Sequence, residues 1–105
     1  METQNLFRMY FGRNIGGDNR VVGFEVNDFI EKYIAPVFPG FTAYQGIGYW
    51  YGKSEDCFIV EIISNRILGA VIEIRSICKA YNNLFDQDAV LITRQPVDME
   101  LVTER

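Results

Sequence analysis

Apolar residues recur along this chain at two spacings, and the order in which the spacings alternate can be satisfied by few folds. A spacing of two residues is typical of a half-buried strand, and one near 3.6 residues is typical of a helix packed on a core. The first spacing predicts strands over Leu6–Arg13, Phe41–Gly52, Cys57–Ile63 and Ala89–Thr93, and the second predicts helices over Phe24–Ala35 and from Ser64 or Asn65 to about Leu84. The resulting β-α-β-β-α-β order defines the ferredoxin-like α+β sandwich. Right-handed crossovers place the first and third strands at the centre of a four-stranded antiparallel sheet, with both helices on one face.

Prolines and one polar segment set the predicted boundaries. Pro36 and Pro39 end the first helix, because proline has no N–H for the helical ladder. The polar segment Gly52–Asp56 joins the second and third strands as a hairpin turn. Pro96 ends the fourth strand in this prediction, so that residues 96–105 form a tail without an assigned element. A chain of 105 residues has room for a single domain, residues 1–105.

Composition narrows the range of partners. The formal net charge is −4 and the basic residues are scattered, whereas a nucleic-acid-binding domain carries a basic stripe. The longest apolar runs are too short for a membrane span. We therefore expect neither nucleic acid nor membrane as a partner. A small anionic ligand remains compatible with this acidic chain, because two or three local arginines can hold a phosphate.

The chain has no histidine, which removes imidazole acid–base chemistry, histidine zinc ligands and Ser-His or Cys-His nucleophiles. Its two cysteines, Cys57 and Cys78, are too few for a structural zinc site and form no CxxC pair. We predict no metal and no cofactor. The first six residues do not resemble a signal peptide, so we expect a cytoplasmic protein with both thiols reduced.

The triplet Gly52-Lys53-Ser54 matches the end of a phosphate-binding loop but not its context. That motif, GxxxxGK[ST], requires a glycine at position 47, which is Ile47. It also requires a following helix, whereas the segment after Ser54 is the third predicted strand. The sequence therefore predicts a hairpin turn here.

Three polar residues interrupt the apolar pattern of neighbouring predicted strands. Arg8 and Tyr10 lie in the first strand and Glu61 lies in the third. One interpretation is structural, a cross-strand salt bridge or a buried pair at an oligomer interface. The other is the floor of a pocket, with the arginine binding an anion and the carboxylate binding a hydroxyl or a proton.

Further candidates lie in the loops and in the second strand. The glycine-rich segment Gly12–Arg20 forms either a nest of backbone N–H groups, flanked by Arg13 and Arg20, or a surface loop. The aromatic residues of the second strand form either an interface or a stacking wall for a planar ligand; they are Tyr44, Tyr49, Trp50 and Tyr51. Arg94, after the fourth strand, completes a set of seven candidate ligand-binding residues: Arg8, Tyr10, Arg13, Tyr49, Trp50, Glu61 and Arg94.

The third and fourth strands are apolar on both faces, whereas a sheet face open to water should be polar. We therefore predict a homo-oligomer, a dimer or larger, whose sheets pack face to face or edge to edge. The alternative is that the tail covers the open face.

Four segments occur in an order that resembles the DUF3574 family of small uncharacterised proteins. They are MYFGRN near the start, IAPVFPGFT over 34–42, GIGYW over 46–50 and YNNLFDQDAVL over 81–91. The resemblance covers about 80 residues. It implies no particular activity.

Three functions are consistent with these residues. The first is non-catalytic binding of an anionic, planar, nucleotide-type ligand by an oligomer, with arginines on phosphate and an aromatic on the base. The second is a metal-independent isomerase or lyase, with Glu61 as base and Tyr10 or Tyr49 as acid. The third is a structural protein-interaction module.

Overall fold

The computed structural model of the protein describes residues 1–105. Its elements in chain order are β1 (Glu2–Gly12), β2 (Asn14–Gly16), β3 (Asn19–Arg20), α1 (Gly23–Phe29), β4 (Thr42–Trp50), β5 (Lys53–Ser64), α2 (Ile67–Phe85) and β6 (Leu91–Met99). A π-helical turn, Ile30–Ile34, continues α1. No helix has the length and apolar character that spanning a bilayer requires.

The four long strands form one antiparallel sheet in the order β4-β5-β1-β6. The first and third predicted strands, now β1 and β5, lie at its centre, and the ferredoxin-like α+β fold is confirmed. The short strands β2 and β3 form a separate hairpin between β1 and α1. The central part of β1, Asn5–Tyr10, pairs with β5 on one side and with β6 on the other, which fixes the faces of the sheet.

The core lies between the sheet and the two helices. Alternate residues of β1 and β5 point into it, and α2 contributes a stripe at helical spacing. Each large apolar side chain buried there stabilises the fold by about 1.5–3 kcal/mol. The fully buried strand and helix residues that form its centre are Phe7, Met9, Phe11, Phe29, Phe58, Val60, Ile62, Ala70, Ile74 and Tyr81.

Tyr81 joins α2 to the end of β1. Its ring packs edge to face against Phe11, with ring centroids 4.8 Å apart, and Phe11 in turn stacks on Phe58 at 4.6 Å. Its hydroxyl donates a 2.6 Å hydrogen bond to the carbonyl of Gly12. The buried ring of Tyr81 contributes apolar contact area, and its hydroxyl contributes a directional hydrogen bond. Together these contacts fix the position of α2 over the sheet.

The first helix ends before Pro36, as predicted, and its last turn is π-helical. Glu25 Oε1 accepts a hydrogen bond from the Val22 N–H and closes the N-terminal turn. At the other end the Ala35 N–H donates to the carbonyl of Ile30, five residues back. Pro36 follows and has no N–H with which to continue the ladder.

Several predicted boundaries are wrong. β1 begins at Glu2 rather than at Leu6, and α2 begins at Ile67 with Arg66 as its N-cap, rather than after Ser64 or Asn65.

Two further differences concern turns and prolines. The hairpin turn contains only Tyr51 and Gly52, with φ of 48° and 76°, rather than Gly52–Asp56. Two successive residues with positive φ give the twist that a two-residue hairpin requires. β5 therefore begins directly after Gly52, and its polar first residues, 53–56, pair with β4. Pro96 does not end the last strand, because β6 is an edge strand and a missing N–H on its outer side costs no ladder bond.

We expect alkaline pH to destabilise this core in a measurable way. Burial raises the pKa of the Cys78 thiol to about 12. Burial also raises the pKa of Tyr81 well above its ordinary value. In the unfolded chain these groups ionise near about pH 8.5 and about pH 10. Above those values the unfolded chain has released protons that the folded chain retains. The free energy of unfolding therefore falls, by about 1.4 kcal/mol per pH unit for each group.

Urea denaturation between pH 7 and pH 11 measures this slope. Cys78→Ala flattens it from about pH 8.5, and Tyr81→Phe flattens it from about pH 10. The control is Tyr51→Phe, since Tyr51 is exposed and its removal leaves the slope unchanged. Equal slopes for wild type and Cys78→Ala would contradict the assignment.

Candidate functional site

The sheet face opposite the helices, called the open face here, carries three cross-strand rows of side chains. Register places residues of neighbouring strands directly beside one another, from all four strands in two rows and from β5, β1 and β6 in the third. The middle row is polar and the rows on either side are largely apolar. The rows are Tyr44-Ile59-Tyr10-Leu91, then Thr42-Glu61-Arg8-Thr93, then Ile63-Leu6-Gln95.

An ion pair occupies the centre of the open face. Arg8 Nε donates to Glu61 Oε2 at 3.0 Å, and the two side chains are 29% and 26% exposed. Arg8 Nη1 also donates to Gln95 Oε1 at 3.1 Å. The hydrogen bond from Arg8 to Glu61 raises the pKa of Arg8 above its ordinary value. Glu61 Oε1 accepts no hydrogen bond from the protein, so one carboxylate oxygen remains available to a ligand.

Two tyrosines flank the ion pair on one side. Tyr10 follows Arg8 on the same face of β1, and Tyr44 lies across β5 from it, with Ile59 between them. Ile59 is buried although it lies on the open face, between these two tyrosines in register. After the hydrogen bond to Glu61, Tyr10 and Tyr44 are among the smaller causes that raise the pKa of Arg8.

A groove of about 810 Å³ runs along the other side of the ion pair. Its floor is Leu6 and Ile63, and its two ends are Phe41-Thr42 and the segment 99–101 after β6. Three carboxylates line it, those of Glu2, Glu61 and Glu100, and no lysine or arginine does. The groove is therefore apolar at its base and negative at its rim.

The structure brings three of the predicted residues together and separates the other four. Arg8, Tyr10 and Glu61 lie side by side on the open face. Arg13 lies beyond the end of β1, where its Nε donates to the carbonyl of Val21 at 2.9 Å.

The remaining three residues lie off the open-face cluster. Tyr49 and Trp50 lie at the tip of the β4–β5 hairpin, 73% and 76% exposed. Arg94 is opposite Phe7 in register, so it leaves the sheet on the helix side.

Three residues at the site did not emerge from the sequence as ligand-binding candidates. Gln95 lies in the row beside that of Arg8, and Phe41 and Met99 close the groove. Tyr44, which the sequence did suggest as part of a stacking wall, lies in the row on the other side. The alternation of Leu91, Thr93 and Gln95 would have identified Gln95 if the last strand had been continued towards Pro96.

No three acidic or cysteine side chains lie close enough together to hold a metal ion. Desolvation by burial raises the pKa of the Cys57 thiol, which lies on the open face beside Gly46. A thiol with a raised pKa is a weak nucleophile at neutral pH. The chemistry of the open face therefore depends on a carboxylate, a guanidinium and phenols.

The fold is similar to that of phage SAM lyase. The apo structure of that enzyme has a TM-score of 0.64 and 17% sequence identity, covering 98% of this chain and 98% of that one. Its complex with S-methyl-5′-thioadenosine has a TM-score of 0.62 and 19% identity, covering 88% of this chain and 80% of that one. At these identities the likeness shows a shared fold alone. No curated protein matches the chain in sequence.

The family resemblance of the sequence is confirmed. The family model described as "Protein of unknown function (DUF3574)" matches residues 7–101, nearly the whole of the domain. The match includes all of the candidate ligand-binding residues, from Arg8 to Arg94. The chain therefore belongs to the DUF3574 family.

Proposed function

We propose that the open face binds a nucleoside-type small molecule, with Glu61 as its central polar contact. The observation that supports this most strongly is the ion pair of Arg8 and Glu61, which is partly buried between two tyrosines and a groove. Small-molecule sites in proteins combine an apolar concavity with a few directed polar groups. The open face has both.

The chemistry of each part matches a part of a nucleoside. The apolar floor and the aromatic rings suit a planar base, which stacks on any flat or apolar surface. The free Oε1 of Glu61 can accept from ribose hydroxyls, and such bonds to a charged acceptor contribute about 1.5–3 kcal/mol each. Gln95 lies on the other side of Arg8 and offers a further amide.

The charge of the groove favours a neutral or cationic nucleoside over a phosphorylated one. Its rim carries three carboxylates, and the nearest cation, Arg8, is already paired with Glu61. An anionic ligand would need several arginines at one place, and Arg13 and Arg94 lie elsewhere. The first compounds to test are S-methyl-5′-thioadenosine, which is neutral, and S-adenosylmethionine, which carries a sulfonium.

A second candidate function is cleavage of such a sulfonium by a lyase reaction. It is favoured by the free oxygen of Glu61 at the groove and by the likeness in fold to a SAM lyase. A sulfonium leaves as a neutral thioether, so the reaction needs a base more than a strong acid. Glu61 would serve as that base. It would take a proton from the carbon next to the one bonded to sulfur, the C–H electron pair would form a C=C bond in the amino-acid chain, and the C–S bond would break to release the thioether. Tyr10 lies in the row next to that of Glu61, whereas Tyr49 lies at the hairpin tip.

We expect S-methyl-5′-thioadenosine to raise the melting temperature of the wild-type protein. Ligand at a hundred times its Kd stabilises a protein by about 2.7 kcal/mol. For a domain of this size each kcal/mol raises Tm by about 4–8 °C. Glu61→Gln weakens binding about tenfold or more, because a charged acceptor is replaced by a neutral one.

Glu73→Gln is the matched control for this measurement. Glu73 also accepts from an arginine, Arg66, but lies on α2 away from the open face. Both variants change the free energy of unfolding by about 1 kcal/mol or less, since exposed ion pairs contribute little. If Glu61→Gln binds as tightly as wild type, the open face is not the site. If adenine nucleotides shift Tm more than nucleosides do, the site is one for anions.

The lyase candidate makes a separate prediction. Incubation of wild-type protein with S-adenosylmethionine should release S-methyl-5′-thioadenosine, detected by liquid chromatography and mass spectrometry against a protein-free sample. Glu61→Gln should lower the rate about 10²–10⁴-fold, the usual contribution of a general base. Quantitative recovery of intact S-adenosylmethionine would contradict the lyase candidate and leave binding as the function.

A further inference from the structure

The two edges of the sheet differ in their protection against a further strand. β6 carries Arg94, Pro96 and Asp98, the kinds of residue that natural sheets place on exposed edges. β4, TAYQGIGYW, has no charged residue and no proline over its nine residues. Its apolar side chains are also exposed, Ile47 by 65% and Trp50 by 76%. β4 is therefore an edge to which another strand can add.

We infer that β4 pairs antiparallel with β4 of a second copy. Because β4 has no charged residue, its pairing with β4 of a second copy brings no like charges together. A charged peptide, by contrast, would find no opposite charge on β4. The two sheets of order β4-β5-β1-β6 then join at β4 into one sheet about a two-fold axis. Isologous pairing also closes both unprotected edges at once.

Geometry restricts the register of this pairing. Side chains directly opposite each other in an antiparallel pair point to the same face of the sheet. A two-fold axis perpendicular to the sheet therefore has to pass between equivalent residues. Full overlap of Thr42–Trp50 puts that axis at the middle of the strand, beside Gly46. The open faces of both copies then form one continuous surface.

This register gives a role to Gly48, which the isolated subunit does not explain. A Cβ at Gly46 would lie 2.8 Å from Ile59 Cδ1, so a side chain there would displace the end of the Ile59 side chain within the subunit. At Gly48 the nearest atom is the carbonyl oxygen of Glu55, at 3.9 Å, and a side chain would fit. In the proposed register the partner's Tyr44 lies opposite Gly48. Its ring can cover the glycine, as aromatic side chains do across strands.

The same register adds an aromatic wall to the groove. The partner's Trp50 lies opposite Thr42, with Cβ atoms about 5 Å apart. Thr42 lines the groove and is the cross-strand neighbour of Glu61. Each copy therefore completes the site of the other with an indole on which a planar base can stack. This step rests on the proposed nucleoside function, whereas the pairing of the strands does not.

Mass and tryptophan fluorescence together test the pairing. Light scattering after size exclusion should give twice the subunit mass of 12.1 kDa for wild type. Trp50 is the only tryptophan, so its emission should shift to the red on dilution as the pair dissociates. Ile47→Lys places a charge beside the axis and should yield a monomer. Gly48→Val fits within the subunit but excludes the partner's Tyr44, and should weaken the dimer about tenfold or more.

The control for the edge is Leu91→Lys. Leu91 is an exposed apolar residue of the opposite edge strand and also lies on the open face. This variant should remain a dimer. Dissociation by Leu91→Lys with retention by Ile47→Lys would mean packing through the open face and would overturn the proposal. Even a weak dimer forms at roughly 100 μM. A wild-type protein that remains monomeric at that concentration would overturn the proposal too.

Nucleoside titration separates this inference from the function on which its last step rests. Monomeric Ile47→Lys should bind S-methyl-5′-thioadenosine at least about tenfold more weakly than the dimer, because it lacks the stacking indole. Equal affinities would overturn the shared site. If no nucleoside binds to any form while the masses are as expected, the proposed function fails and the strand pairing stands.

Discussion

The register of β1 between β5 and β6 is the constraint on which both the core and the candidate site depend. The same alternation that turns Phe7, Met9 and Phe11 towards the helices turns Arg8 and Tyr10 to the open face. A slip of one residue would exchange the faces, burying a guanidinium and exposing the apolar set. The energy that stabilises the core therefore also fixes the position of the ion pair, without any contact dedicated to it.

The fold follows from the sequence because its long segments keep one period each. β5 is longer than the predicted strand and α2 begins later than the predicted helix, but neither changes its type or its place in the order. The boundaries do not follow as well, since they depend on tertiary context. A tyrosine with φ of 48° at Tyr51 is stabilised by the twist of the hairpin, and Pro96 is accommodated because its strand lies at an edge. Neither condition can be deduced from the residues alone.

The residues of the site could be predicted from the sequence only where the fold determines which strands are neighbours. Arg8 and Glu61 could be paired from the sequence, because the fold makes their strands adjacent and central. Arg94 could not be placed, since one residue of register decides which face it occupies. Trp50 could not be placed either, because β4 and β5 continue as a two-stranded ribbon past Gly12, where β1 ends. Residues of an edge or a hairpin tip depend on what lies beyond the subunit.

The composition of the chain and the geometry of the open face limit its chemistry in the same direction. Without histidine, the proton-transfer groups near neutral pH are carboxylates, and Glu61 is the one held at the centre of the open face. A negative groove beside it attracts cations, and a cationic substrate whose leaving group departs neutral needs little acid catalysis. The sulfonium nucleoside that we propose as a ligand meets both conditions. In that proposal the ion pair has a positioning role, because Arg8 holds one oxygen of Glu61 and leaves the other without a protein donor beside the groove.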